Sequence, residues 1–137
     1  MALVIPAVNA AVQLNEPPAI PSIDGPAKGK AGVEYEYQFC STDPDGDDIS
    51  YCIDWGDGSG EFCIGPFPSG TCVTQKHIWT TEGSYTIKCK AQDINQLESD
   101  YATLSIQMPY SYSQPTLFQS ILQLIYLRIQ NLRILFN

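Results

Sequence analysis

Residues 34–39 read Glu-Tyr-Glu-Tyr-Gln-Phe, and this strict alternation is the strongest single constraint on the fold. Successive side chains of a strand point to opposite faces, so three aromatic rings gather on one side and three polar groups on the other. A helix would scatter them. The same period recurs where Tyr51, Ile53 and Trp55 alternate with Cys52 and Asp54. It returns where Tyr85, Ile87, Cys89 and Ala91 alternate with Thr86, Lys88 and Lys90, and in the run from Tyr101 to Ile106 with Ala102, Leu104 and Ile106 facing inward. Shorter candidates are Ala19–Asp24, Glu61–Gly65 and Cys72–Trp79. Turn signals separate them at Asp45-Gly46, Gly56-Asp57-Gly58, Pro66 to Gly70 and Glu82-Gly83. Seven short strands with polar turns predict an all-β fold: an immunoglobulin-like two-sheet antiparallel sandwich. No nucleotide-binding loop or βαβ rhythm is present.

Charge divides the chain into three. Residues 1–15 form an apolar leader with no charge. Residues 16–109 carry all fifteen acids and five lysines, a net of −10, and all five cysteines. Residues 110–137 carry Arg128, Arg133 and no acid. The leader is read as a signal remnant, a linker or a strand that pairs elsewhere; it lacks the basic start of a secretory signal. Asn15-Glu16-Pro17-Pro18 then makes a semi-rigid hinge. The acidic body argues against nucleic-acid partners, whose phosphates need clustered Lys and Arg. His77 is the one histidine, which excludes any site needing two imidazoles.

Four motifs occur in order: Asp43-Pro44-Asp45-Gly46-Asp47, Ile53-Asp54-Trp55-Gly56-Asp57-Gly58, His77-Ile78-Trp79 and Gly83-Ser84-Tyr85-Thr86-Ile87. Together they resemble the polycystic-kidney-disease (PKD) domain family, with its Asp-rich turn, W-D-F-G-D-G hairpin, H-x-Y segment and G-x-Y-x-V strand. Ile53 stands for the first aromatic, Trp55 for the Phe and Trp79 for the Tyr; apolar bulk is kept each time. The resemblance covers about residues 16–108 and is nearest to archaeal and bacterial cell-surface versions. It implies an extracellular β-sandwich used as a spacer, an adhesion module or a carbohydrate- or protein-binding module, with no enzymatic activity of its own.

Within that fold, strand parity restricts the cysteines. Counting back from the Asp57-Gly58 tip sets Cys52 opposite Cys63, at a separation a cross-strand bridge can use. Cys40 and Cys72 point outward at the adjoining ends of neighbouring antiparallel strands, which makes Cys40–Cys72 the second bridge. Cys89 shares the inward face with Tyr85 and Ile87 as a buried free thiol. The rival pairing, Cys40–Cys89, needs a bulge to turn Cys40 inward. Five reduced cysteines packed as small hydrophobes remain an alternative, and metal binding lacks a C-x₂-C spacing.

Asp43, Asp45 and Asp47 are the candidate calcium ligands. Alternate carboxylates on a turn can converge on a hard cation, Gly46 permits the bend, and some members of the resembled family bind calcium. Asx-turn chemistry explains the same residues without an ion. No other cofactor is expected. Asp54 and Asp57 flank Trp55-Gly56; paired carboxylates can hydrolyse glycosides, but in this turn they are expected to cap backbone N–H groups. His77 reads as a hydrogen-bonded core residue. Tyr35, Tyr37 and Trp55 face inward by parity, whereas Tyr110 and Tyr112 lie beyond the last strand and are freer to make contacts.

The tail from Leu117 to Phe136 is predicted helical, started near Ser113 or Thr116. Leu117, Ile121, Leu124, Ile125, Leu132 and Leu135 approximate one face, while Gln119, Gln123, Gln130 and Arg133 dilute the other. Arginine at mid-helix is costly in hydrocarbon, so a membrane-spanning anchor ranks behind an interfacial helix or a helix packed on another chain. Docking on its own domain is the plainest alternative. The sequence therefore predicts an extracellular structural module for surface attachment, spacing or self-assembly through tail and leader. The alternative is a carbohydrate- or protein-binding module supported by calcium.

Overall fold

The alternation becomes seven strands: β1 (Ser22–Asp24), β2 (Glu34–Cys40), β3 (Ile49–Asp54), β4 (Glu61–Phe67), β5 (Val73–Ile78), β6 (Gly83–Asp93) and β7 (Ala102–Met108), followed by the helix α1 (Leu117–Leu135). The computed structural model describes residues 14–109 and 117–135, with the helix side chains described through residue 129. Two antiparallel sheets form, ordered β1-β2-β5 and β4-β3-β6-β7. This is the predicted sandwich. Expected strand limits shift by a few residues: Ala19 to Pro21, Trp55, Cys72, Trp79 and Tyr101 lie outside the strands, while β4 and β7 run on to Phe67 and Met108.

The inward parity positions make the core. Tyr37 and Phe39 from β2 meet Tyr51 and Ile53 from β3, Ile87 and Cys89 from β6, and Ile106 from β7, all buried. Trp79 fills the centre, edge-on to Tyr37 at 5.7 Å and to Trp55 at 5.9 Å, and its Nε1 donates to the Trp55 carbonyl. Buried hydroxyls find partners, as they must when water is lost. Tyr37 donates to the Pro26 carbonyl at 2.8 Å, and burial pushes its hydroxyl pKa up to about 12, helped by Tyr35. Tyr51 donates to the Thr71 carbonyl and accepts from the Ser41 N–H.

Residues 27–29 lie alongside β7: Gln107 N donates to the Ala27 carbonyl and Gly29 N to the Gln107 carbonyl. An unpaired strand edge is a template for aggregation, and this segment covers one. It also ties the start of the body to the four-stranded sheet.

Both expected bridges form. Cys52 pairs in register with Cys63, and the two are disulfide-bonded with Cα atoms 4.0 Å apart. Cys40 at the end of β2 is bonded to Cys72, just before β5, at 4.3 Å. The hairpin tip keeps its register; the irregularity in the β3–β4 ladder falls between Ile49 and Tyr51 instead. Cys89 is buried and free, so the odd cysteine lies inside one copy of the fold. Cys52 is only 2% exposed although it faces away from the core.

The tail helix is present. Its described apolar side chains, Leu117 through Ile129, are each 49–83% exposed, so the alternative of docking on its own domain is not what this structure forms. Among the described residues no helix is long and apolar enough to cross a membrane. Leader residues 1–13, Tyr110, Tyr112, the Ser113 and Thr116 cap, and the side chains of Leu132 and Leu135 lie outside the described residues.

Candidate functional site

The Asp-rich turn between β2 and β3 closes on itself. Asp43 Oδ1 accepts the N–H groups of Asp45 at 2.9 Å and Asp47 at 3.2 Å. That is the Asx-turn arrangement expected of Asp-Pro-Asp-Gly, and Gly46 supplies the positive φ of 81°. Asp43 is 6% exposed. Its second oxygen, Oδ2, is buried and has no hydrogen-bond partner. A buried carboxylate oxygen without a partner bears a desolvation penalty.

A fourth carboxylate joins from the far end of β6. Asp93 is 5% exposed; its Oδ1 accepts from Leu97 N and its Oδ2 from Asn15 Nδ2 at 2.6 Å. Asp45 Oδ2 accepts from Glu16 N at 2.7 Å, and Asp47 Oδ2 from Asn95 Nδ2 at 2.8 Å. Local desolvation and then the charges of Asp43, Asp93 and Asp45 raise the Asp47 carboxyl above its ordinary range, against the Asn95 hydrogen bond. The four acids thus share one electrostatic site, with Asn15 and Glu16 of the hinge attached to it. Among the described residues, however, no three of these carboxylates bring oxygen atoms within 4.8 Å of one another; the expected convergence of Asp43, Asp45 and Asp47 on a cation is not formed, because their oxygens turn to backbone and amide N–H groups instead. Asp93, Asn15 and Asn95 were not among the sequence candidates, because they lie about fifty residues or more from their partners in the turn or on β6. The only local signal was a second turn at Asp93-Ile94-Asn95-Gln96.

At the other end, the β3–β4 turn uses both motif acids. Asp54 Oδ1 accepts from Gly56 N at 2.8 Å and Asp57 Oδ1 from Ser59 N at 3.0 Å. Both carboxylates cap the backbone, as expected. Asp57 Oδ2 also lies 2.8 Å from His77 Nε2. The His77 ring stacks on Trp55 at 4.6 Å and 8° and meets Trp79 edge-on. Burial favours the neutral Asp57 acid, but the Ser59 hydrogen bonds and His77 outweigh it and hold the carboxyl low. Gly56 and Gly58 take positive φ in this turn. Tyr85 donates to the Thr81 carbonyl at 2.8 Å and packs on Trp79.

Glu61 lies within 4.8 Å of both Cys52 and Cys63 sulfurs, but those sulfurs are joined to each other and hold no thiolate for a metal. The Glu61 carboxylate instead accepts from the Tyr101 hydroxyl at 2.7 Å.

With this geometry in place, comparison with known proteins is direct. A family model described as PKD domain matches residues 15–108. The PKD domain of an M14-like peptidase from Thermoplasmatales archaeon SCGC AB-540-F20 is 45% identical, covers 71% of this chain and 100% of its own, and superposes with a TM-score of 0.67. The solution structure of the PKD domain from human VPS10 domain-containing receptor SorCS2 is 19% identical, covering 83% of this chain and 94% of its own, with a TM-score of 0.43. A search of curated proteins finds no match. Over residues 15–108, this chain belongs to the PKD domain family.

Proposed function

We propose that the chain is an extracellular structural module for surface attachment, spacing or self-assembly. PKD domains are non-catalytic immunoglobulin-like modules. The observation that carries the reading is the placement of the two bridges. Cys40–Cys72 staples β2 to β5 in one sheet and Cys52–Cys63 staples β3 to β4 in the other. Disulfides persist where the surroundings are oxidising, and a stapled sandwich keeps its shape as a spacer must. The residues that could have formed a catalytic pair, Asp54 and Asp57, hold turns instead. The tail and leader supply the contact to a protein partner, to another copy or to a membrane interface; nucleic acid is not a partner for so acidic a body.

A second reading, a carbohydrate- or protein-binding module supported by calcium, is favoured by the buried and unpartnered Asp43 Oδ2. Asp43, Asp45, Asp47 and Asp93 are the proposed ligands. Thermal unfolding of the full chain, with and without reductant and with calcium or a chelator, tests both parts. The spacer reading expects a large fall in melting temperature on reduction; an unchanged value would overturn it. The calcium reading expects a rise with calcium that Asp43→Asn abolishes, and calorimetry without heat or thermal shift removes it.

A further inference from the structure

The exposed side chains of α1 carry a repeat that the six-residue face named from sequence does not describe. Phe118, Leu122, Ile125 and Ile129 follow one another at spacings of four, three and four, and Leu132 continues the series in sequence. This is the 3.5-residue period of a helix that packs along another helix. A lipid surface asks only for a broad apolar face and imposes no such period. The four described members are 70%, 49%, 49% and 52% exposed.

We propose that α1 pairs antiparallel with α1 of a second copy of this chain, along the seam of Phe118, Leu122, Ile125 and Ile129. The inference rests on the tail contact of the preceding reading and names its partner. Area is compatible with a second copy: burying the seam and its flanks on both helices removes on the order of 1,000 Å² from water, about the least a specific contact requires. Charge sets the direction. Parallel helices would align Arg128 of one copy with Arg133 of the other and bring two acidic bodies, each net −10, side by side. An antiparallel pair separates both. With Phe118 opposite Ile129, the two helix starts lie 13 residues apart along the pair, about 20 Å at 1.5 Å per residue. The chains then enter the pair from opposite ends, farther apart than the roughly 8 Å reach of charge in physiological salt. The layers become Phe118 on Ile129 and Leu122 on Ile125.

Light scattering on the full oxidised chain tests the pairing. The expected mass is twice 15.1 kDa. Ile125→Asp returns it to one copy with the near-ultraviolet dichroism of the body unchanged, and Leu127→Asp, on the opposite side of the helix, leaves it doubled. Phe118→Cys and Ile129→Cys are expected to cross-link when mixed and not when each is alone. A monomeric full chain overturns the proposal, as does insensitivity to Ile125→Asp or self-cross-linking of Phe118→Cys. A chain that stays monomeric and floats with phosphatidylcholine–phosphatidylglycerol vesicles assigns the helix to lipid and also overturns it. A monomer whose melting temperature still falls on reduction would leave the spacer reading standing.

Discussion

The His77 imidazole on β5 lies 2.8 Å from the Asp57 carboxylate in the β3–β4 turn. One side-chain contact therefore ties the three-stranded sheet to a hairpin of the four-stranded one. Its acid response has a definite sign. The folded Asp57 carboxyl is held below its ordinary value of 3.8. The stability it adds is complete above that value and is lost as pH falls through the folded one. The two side chains are only 16% and 21% exposed, and the expected contribution is on the order of 1 kcal/mol. Asp57→Asn should lower the melting temperature slightly at neutral pH and flatten its decline in acid, measured by circular dichroism from pH 7 to about pH 3.

The two bridges should differ in worth. Cys40 and Cys72 are 32 residues apart and Cys52 and Cys63 are 11 apart. Restricting the longer unfolded loop removes more entropy, about 4 kcal/mol against about 3 kcal/mol. Replacing Cys40 and Cys72 by Ala should therefore lower stability more than replacing Cys52 and Cys63, as read from urea midpoints of the two double variants.

Asp47 behaves in the opposite sense to Asp57. Its folded carboxyl is raised by desolvation and by Asp43, Asp93 and Asp45, so ionising it at neutral pH works against the fold. Asp47→Asn should raise the melting temperature of the calcium-free chain and diminish any calcium-induced rise. Parallel scans with chelator and with calcium read both effects.

Cys89 should be chemically silent in the native chain. It is fully buried, and burial, with Glu61 nearby, pushes its thiol pKa up to about 12. The thiolate is the reactive species, so iodoacetamide should leave the folded protein unmodified at pH 8 and label one site per chain in denaturant. Mass spectrometry of the two reactions distinguishes them.

Gly56 admits no side chain. Its φ is 74°, and an added Cβ would meet the Thr86 carbonyl oxygen at 2.4 Å. Backbone strain and the clash act together, so Gly56→Ala should cost at least about 2 kcal/mol. Gly58 has positive φ but open space around it, so Gly58→Ala should cost less. Equilibrium urea unfolding of the two variants provides the comparison.

Legibility followed the range of the interaction. Tyr37, Phe39, Tyr51 and Ile53 were readable as core because a strand's two faces are a local property of the backbone. Cys52–Cys63 was readable because a tight hairpin counts its own register. Cys40–Cys72 needed the resemblance as well, since only a known sandwich order makes β2 and β5 neighbours. Asp93 was not readable as a member of the Asp43 site: nothing local at residue 93 says that β6 will end beside that turn. The partial burial of Lys90 was likewise invisible, because Glu98, Glu61 and Tyr101 converge on it from β4 and the β6–β7 connection.

By itself, the sequence of this chain determined which residues face inward, where the strands turn, and which cysteines have compatible parity. All three follow from a backbone whose side chains alternate every residue and from turn residues that act over three or four positions. Tertiary structure decided what meets across distance: Asp93 and Asn15 at the Asp43 turn, His77 against Asp57, and residues 27–29 along the edge of β7. Those juxtapositions depend on how two sheets pack over Trp79 and Trp55, a collective balance of burial and hydrogen bonding that no local pattern encodes.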